Sequence, residues 1–148
     1  MTPLFTKLNL GAHREILVLS APASFETELN ALSGVTVHRD PSNAQTGFLI
    51  AFVFTLAEVN AAAALMNTLV GDPVVWLAYP KATSKRYQCE FNRDTGWTTV
   101  GDAGFEGVRQ VAIDADWSAL RFRRTEFIKS LTRDASRALS ASGRKRLS

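Results

Sequence analysis

Cysteine, histidine and methionine are all scarce in this chain, which has one Cys, two His and two Met in 148 residues. A lone Cys89 cannot close an internal disulfide, so a reducing, cytoplasmic setting and a structural thiol are expected. His13 and His38 stand apart from it and from each other, which argues against zinc sites and Cys–His catalysis. The opening MTPLFTKLNLGAHREI lacks the basic start, apolar core and cleavage site of a secretory signal, and nothing in it argues for export. One long apolar stretch exists, residues 47–70, but Glu58, Asn60 and Asn67 interrupt it. A Glu inside a membrane span is costly, and Thr55 with Glu58 forms the T-x-x-E pattern of a capping box. The stretch therefore reads as a buried strand followed by a helix.

What is present is an ordinary globular composition, 46% hydrophobic and 21% charged, enough for one core and too little for two comfortable domains. The net charge of +3 conceals a split. Residues 1–120 hold 8 Lys and Arg against 12 Asp and Glu, whereas residues 121–148 hold 9 against 2. The expected organisation is a single α/β domain over residues 1–124, an amphipathic basic helix over 125–139 and a disordered tail over 140–148.

Phe5 to Leu10 reads as a short helix closed by Gly11. Ile16 to Leu19, Phe48 to Phe54 and Val74 to Tyr79 are continuous apolar runs without alternation, as expected of strands covered on both faces in a parallel sheet. Ser24 is placed to cap a helix with Glu26 and Glu28 in its first turn, ending at Gly34. Val35 to Asp40 reads as a second strand. The short link from Pro41 to Gly47 makes that strand short, on an edge, or antiparallel to the third. Its letters His38-Arg39-Asp40 match a kinase catalytic loop, but Gln45 stands where asparagine is needed and no glycine-rich phosphate loop precedes it.

Apolar residues from Leu56 to Val70 recur at helical spacing up to Gly71. Asp94 or Thr95 can cap a short helix through Trp97, Val100 and Ala103. Val108 to Ile113 and Ser118 to Arg123 read as a hairpin around Asp114-Ala115-Asp116-Trp117, with Arg121 and Arg123 on an exposed charged edge. Phe127, Ile128, Leu131, Ala135 and Leu139 mark a last helix.

The phrases TKLNLG, ILVLSAP, LAYPKATSK, NRDTGW and VAIDADWSALRFR, in that order, resemble a family of small bacterial proteins of unknown function. The resemblance covers roughly residues 5–124, is most specific at YPK, NRD-x-x-W and WSALRFR, and implies no settled activity. More distantly, the order of elements is similar to a shortened S-adenosylmethionine-dependent methyltransferase. That likeness implies a three-layer Rossmann-like fold, with a mainly parallel sheet and a C-terminal antiparallel hairpin. In that larger family a glycine-rich turn after the first strand lets the cofactor approach the backbone. The corresponding residues here, Ser20 to Ser24, contain a proline and no glycine, so no cofactor is expected. Asp40 ends the second strand where methyltransferases often place an acid for the ribose hydroxyls.

The candidate site gathers Pro22, Ser24, Asp40, Lys81, Lys85, Arg93, Asp94 and Trp97 at the carboxyl ends of the strands. There the lysines, Arg93 and the helix start at Asp94 are suited to a phosphate or carboxylate, with Trp97 as a flat wall. The plainer explanation of the same residues is a capped helix, a core tryptophan and solvated lysines. Ser84 and Ser118 lack a positioned histidine, so no nucleophile with its base is legible.

The expected role is a non-catalytic binding domain for a small anionic ligand or a protein partner. A divergent methyltransferase is the first alternative. A nucleic-acid-associated protein is the second, acting through the basic residues Lys129, Arg133, Arg137, Arg144, Lys145 and Arg146.

Overall fold

Apolar runs that show no alternation have to be buried on both faces, and in the computed structural model they form the centre of the sheet. The structure describes residues 3–41, 47–89, 91 and 96–128. The elements in chain order are α1 (Pro3–Lys7), β1 (Glu15–Leu19), α2 (Ala23–Asn30), β2 (Thr36–His38), β3 (Phe48–Phe52) and α3 (Leu56–Thr68). They are followed by β4 (Val74–Pro80), α4 (Thr98–Asp102), β5 (Phe105–Ala112) and β6 (Trp117–Arg124). The six strands lie in the order β2-β1-β3-β4-β6-β5. The first four are mutually parallel, and β6 and β5 are antiparallel additions at one side.

Register sorts the side chains into two layers of core. Leu17, Leu49, Val75 and Phe122 are matched across β1, β3, β4 and β6 and pack with Val59, Ala62, Ala63 and Met66 of α3 and with Val100 of α4. Val18, Ile50 and Trp76 form the neighbouring row on the opposite face, packed with Phe5 of α1 and Phe25 and Leu29 of α2. Helices therefore cover both faces, giving the three-layer α/β arrangement expected. Each such apolar side chain stabilises the fold by roughly 1.5–3 kcal/mol relative to exposure.

The break within residues 47–70 falls where the capping box was read. Glu58 N donates to Thr55 Oγ1 at 3.1 Å, while Glu58 Oε1 accepts from the Thr55 and Phe54 amides at 3.1 and 2.8 Å. Among the described residues no helix is long and apolar enough to cross a membrane. The far end of α3 is closed from another element. The Arg124 guanidinium donates to the carbonyls of Met66, Leu69 and Gly71 and lies 4.9 Å from the Phe105 ring centroid.

The second strand is short and on an edge, as expected; it runs parallel to β1, which lies between it and β3. Several other local expectations are corrected. Helix α1 is ended by Asn9 rather than Gly11. Asn9 takes φ 61° while its N–H bonds to Thr6 O and that of Leu10 bonds to Phe5 O, a Schellman closure.

Ser24 lies inside α2, whose N-cap is Pro22 without a side-chain cap, and the helix stops at Ala31 before reaching Gly34. Helix α4 begins after Trp97, with no side-chain cap, while Asp94 and Thr95 lie outside the described residues. The strand carrying Arg121 and Arg123 is internal, paired with β4 on one side and β5 on the other, so the edge is β5. Thr125–Phe127 form a 3-10 turn rather than the start of an α-helix; residues 129–148, with the rest of the expected basic helix and tail, lie outside the described residues.

Candidate functional site

Parallel strands deliver their following turns to one rim, and the antiparallel β6 starts there, so the β5–β6 loop joins the turns after β1 and β4. The turn after β1 opens on Ser20 at φ 60°, a left-handed conformation more usual for glycine. Pro22 O accepts from the amides of Phe25 and Glu26 as α2 begins. Ser24 Oγ then donates to Asp114 Oδ2 at 3.1 Å, across 90 residues of sequence.

Asp114 is the centre of this rim. Its Oδ1 accepts from the amides of Asp116 at 2.8 Å and Trp117 at 2.9 Å, the local bonding of an Asx turn that aims the chain into β6. Asp116 continues the chain of contacts: its carbonyl accepts from Lys81 N at 2.8 Å and its Oδ1 from Ser84 Oγ at 2.9 Å. Ser84 Oγ in turn accepts from the amides of Arg86 and Tyr87. The turn bearing Pro22 and Ser24 and the loop bearing Lys81 and Lys85 are thus joined through a hairpin loop.

Aromatic rings fill the space behind these bonds. Trp117 lies 5.1 Å from Tyr87, 5.2 Å from Phe54 and 5.1 Å from Phe52, and Phe54 lies 5.6 Å from Tyr87. Tilted and edge-on ring pairs of this kind each contribute roughly 0.5–1.5 kcal/mol beyond area burial. Trp117 is 1% exposed, and its Nε1 has no hydrogen-bond partner among the described residues.

The charges at the rim differ in how far they are held. Arg39, just past β2, makes a two-pronged contact with Glu26 in the first turn of α2. The hydrogen bond from Arg39 holds the Glu26 carboxyl below its ordinary value, and Glu26 raises Arg39 in return. Asp40 is exposed beside them, Lys81 is half-buried, and Lys85 and Arg86 are exposed.

Trp97 is not at the rim. It is 1% exposed and packs against Tyr79, Phe91 and Phe122 on the α3 side of the sheet. Arg93, Asp94 and the tail residues Lys129, Arg133, Arg137, Arg144, Lys145 and Arg146 lie outside the described residues. Trp76 is core, its indole N–H donating to Leu8 O at 2.8 Å. Cys89 is half-buried against the core.

Sequence reasoning missed Asp114 and Asp116 as site residues, together with the stacking of Tyr87 and Phe54 on Trp117. The signal for the first was the D-A-D-W loop, since an Asp at the start of a turn bonds its own backbone two residues on. Nothing local announces the second. Among the described residues no cluster of His, Cys, Asp and Glu could hold a metal ion. The carboxylates nearest the β1 turn are occupied by amide and hydroxyl donors.

Neither sequence models of known families nor the sequences of curated proteins match the chain. In structure it is similar to the magnesium protoporphyrin IX methyltransferase of Synechocystis PCC 6803 with bound SAH. The TM-score is 0.50 at 13% identity, covering 82% of this chain and 78% of that one. The SAM-bound form of the same enzyme matches with TM-score 0.47 and 14% identity, over 82% and 74% of the two chains. The likeness to the SAH-bound enzyme, at that identity, is one of fold, and the architecture of this chain is methyltransferase-like.

Proposed function

We propose that the chain is a non-catalytic binding domain on a methyltransferase-like scaffold, whose strand-end rim takes a small anionic ligand or a protein partner in place of the methyl donor. The observation that carries this reading is the bond from Ser24 to Asp114. Where a cofactor would need bare backbone after the first strand, this turn carries a proline and a serine, and the serine is tied to a loop from the far side of the sheet. Phe54, Tyr87 and Trp117 pack behind that tie and occupy room at the same rim. The half-buried Lys81 and the exposed Lys85 and Arg86 supply the cations for an anionic group.

A divergent methyltransferase is the second reading, favoured by Ser20. Its φ of 60° gives the end of β1 a backbone turn of the glycine kind without the glycine.

Thermal denaturation with S-adenosylmethionine and with its demethylated product separates the two. A ligand at a hundred times its Kd stabilises a folded chain by about 2.7 kcal/mol. For a chain of this length that is a rise in Tm of roughly 6–12 °C. No rise at millimolar cofactor is expected. A saturable rise with either compound would overturn the non-catalytic reading.

A further inference from the structure

Across the middle of the sheet, an apolar row changes character as it passes from the parallel strands to β6 and β5. Across β1, β3 and β4 the matched residues are Val18, Ile50 and Trp76, and the next two in the same row, on β6 and β5, are Arg121 and Arg109. Like charges directly opposite each other on a sheet destabilise it unless something compensates them. Among the described residues, the acceptor they share is one neutral oxygen. Arg109 Nη1 and Arg121 Nη1 both donate to Asn9 Oδ1, at 3.2 and 3.3 Å.

The remaining groups do not make up the deficit. Arg123 takes Asp72, donating to its two oxygens at 2.7 to 3.1 Å. Arg121 Nε is buried and has no acceptor among the described residues. With Glu106, buried across from Arg123 in the register, the described residues here number three arginines against two carboxylates. Burial and the neighbouring Arg123 and Arg109 lower the pKa of Arg121, and only Asp72 opposes them. Each guanidinium offers five N–H donors, so the arginine pair has a large surplus of donors over acceptors.

We infer that Arg109, Arg121 and Asn9 form a binding site for a tetrahedral oxyanion of the phosphate type, separate from the strand-end rim. A phosphate group brings several acceptor oxygens and negative charge to a place short of both, and guanidinium pairs match its geometry. Arg109 is exposed and Arg121 half-buried, so the pair is reachable from solvent. Asn9 is held by the Schellman closure of α1, which fixes its amide against both arginines and leaves its nitrogen as a further donor.

The test is a titration of the full chain with inorganic phosphate, read by Tm and by calorimetry, with sodium chloride at matched ionic strength and sodium acetate as controls. Phosphate should raise Tm above both controls. Arg109→Gln and Asn9→Gly should each weaken phosphate binding about tenfold or more, the glycine keeping the left-handed backbone so that the fold survives. Lys81→Ala with Lys85→Ala, at the strand-end rim, should leave the affinity within about twofold. The inference is overturned if phosphate acts no differently from chloride, or if acetate matches it. It is equally overturned if Arg109→Gln binds phosphate as the parent does, or if the rim double variant loses it.

Discussion

Replacing Asp114 with alanine should loosen the rim, and the structure sets the scale. The carboxylate accepts two backbone N–H groups at 2.8 and 2.9 Å and the Ser24 hydroxyl at 3.1 Å. Hydrogen bonds to charged groups contribute roughly 1.5–3 kcal/mol each when sheltered, and this group is only half-buried, so water recovers much of the loss. Asp114→Ala should therefore cost about 2 kcal/mol, and Ser24→Ala about 0.5–1 kcal/mol. The informative quantity is the coupling between them. If the Ser24 to Asp114 bond joins the β1 turn to the hairpin loop, the double variant is less unstable than the sum of the singles by about 0.5–1 kcal/mol. Urea denaturation of the four proteins measures this directly, with the slope checked for constancy so that midpoint shifts report stability. Additivity within about 0.3 kcal/mol would refute the tie, and with it the main support for a rim closed by the chain's own residues.

Arg124→Met should destabilise the chain by about 2–3 kcal/mol, because it strips the donors from the carbonyls of Met66, Leu69 and Gly71 at the end of α3. Chemical denaturation checks it, and a loss under about 0.5 kcal/mol would mean that water serves those carbonyls equally well. The Glu26 to Arg39 pair predicts a pH dependence. Since Arg39 holds the folded carboxyl below its ordinary 4.5, the pair's contribution is whole above that value and disappears as pH falls through the lower, folded one. Denaturation midpoints of the parent and of Arg39→Ala should differ at about pH 6 and converge as the pH falls into acid below the ordinary carboxylate range. A gap that persists unchanged into acid would assign the effect of Arg39 to packing rather than charge.

The central strands were legible because their burial is written in composition: a run such as Phe48 to Phe52, with no polar member, has no face to give to water. Thr55 and Glu58 were legible for a different reason, since a capping box is satisfied within four residues and owes nothing to the rest of the fold. Ser24 shows the limit of such local reading. The helix begins earlier than a serine cap requires, which puts Ser24 in its first turn, and the hydroxyl donates instead to a carboxylate 90 residues away. The direction of β2 is likewise beyond such local reading, although its shortness and edge position are not. The rule that parallel neighbours need a long crossover applies only to neighbours, and β1 comes between β2 and β3.

Arg121 and Arg123 carry the same lesson to the candidate sites. Alternating charge on a strand is sound grounds for an exposed edge when the strand is an edge. Here β5 pairs outside β6, so the strand is internal and its half-buried arginines lie beside the charges of neighbouring strands and turns rather than along an open edge. Arg123 finds Asp72, while Arg121 is left sharing Asn9 with Arg109. Periodicity carries information about which residues share a face, and that part was read correctly. How many strands lie beyond that face is decided by pairing between distant segments, and this decides whether a charge is solvated or has to be answered. An alternating strand with arginines on one face is thus a weak indicator of an edge and a stronger one of a place where the fold, or a ligand, supplies anions.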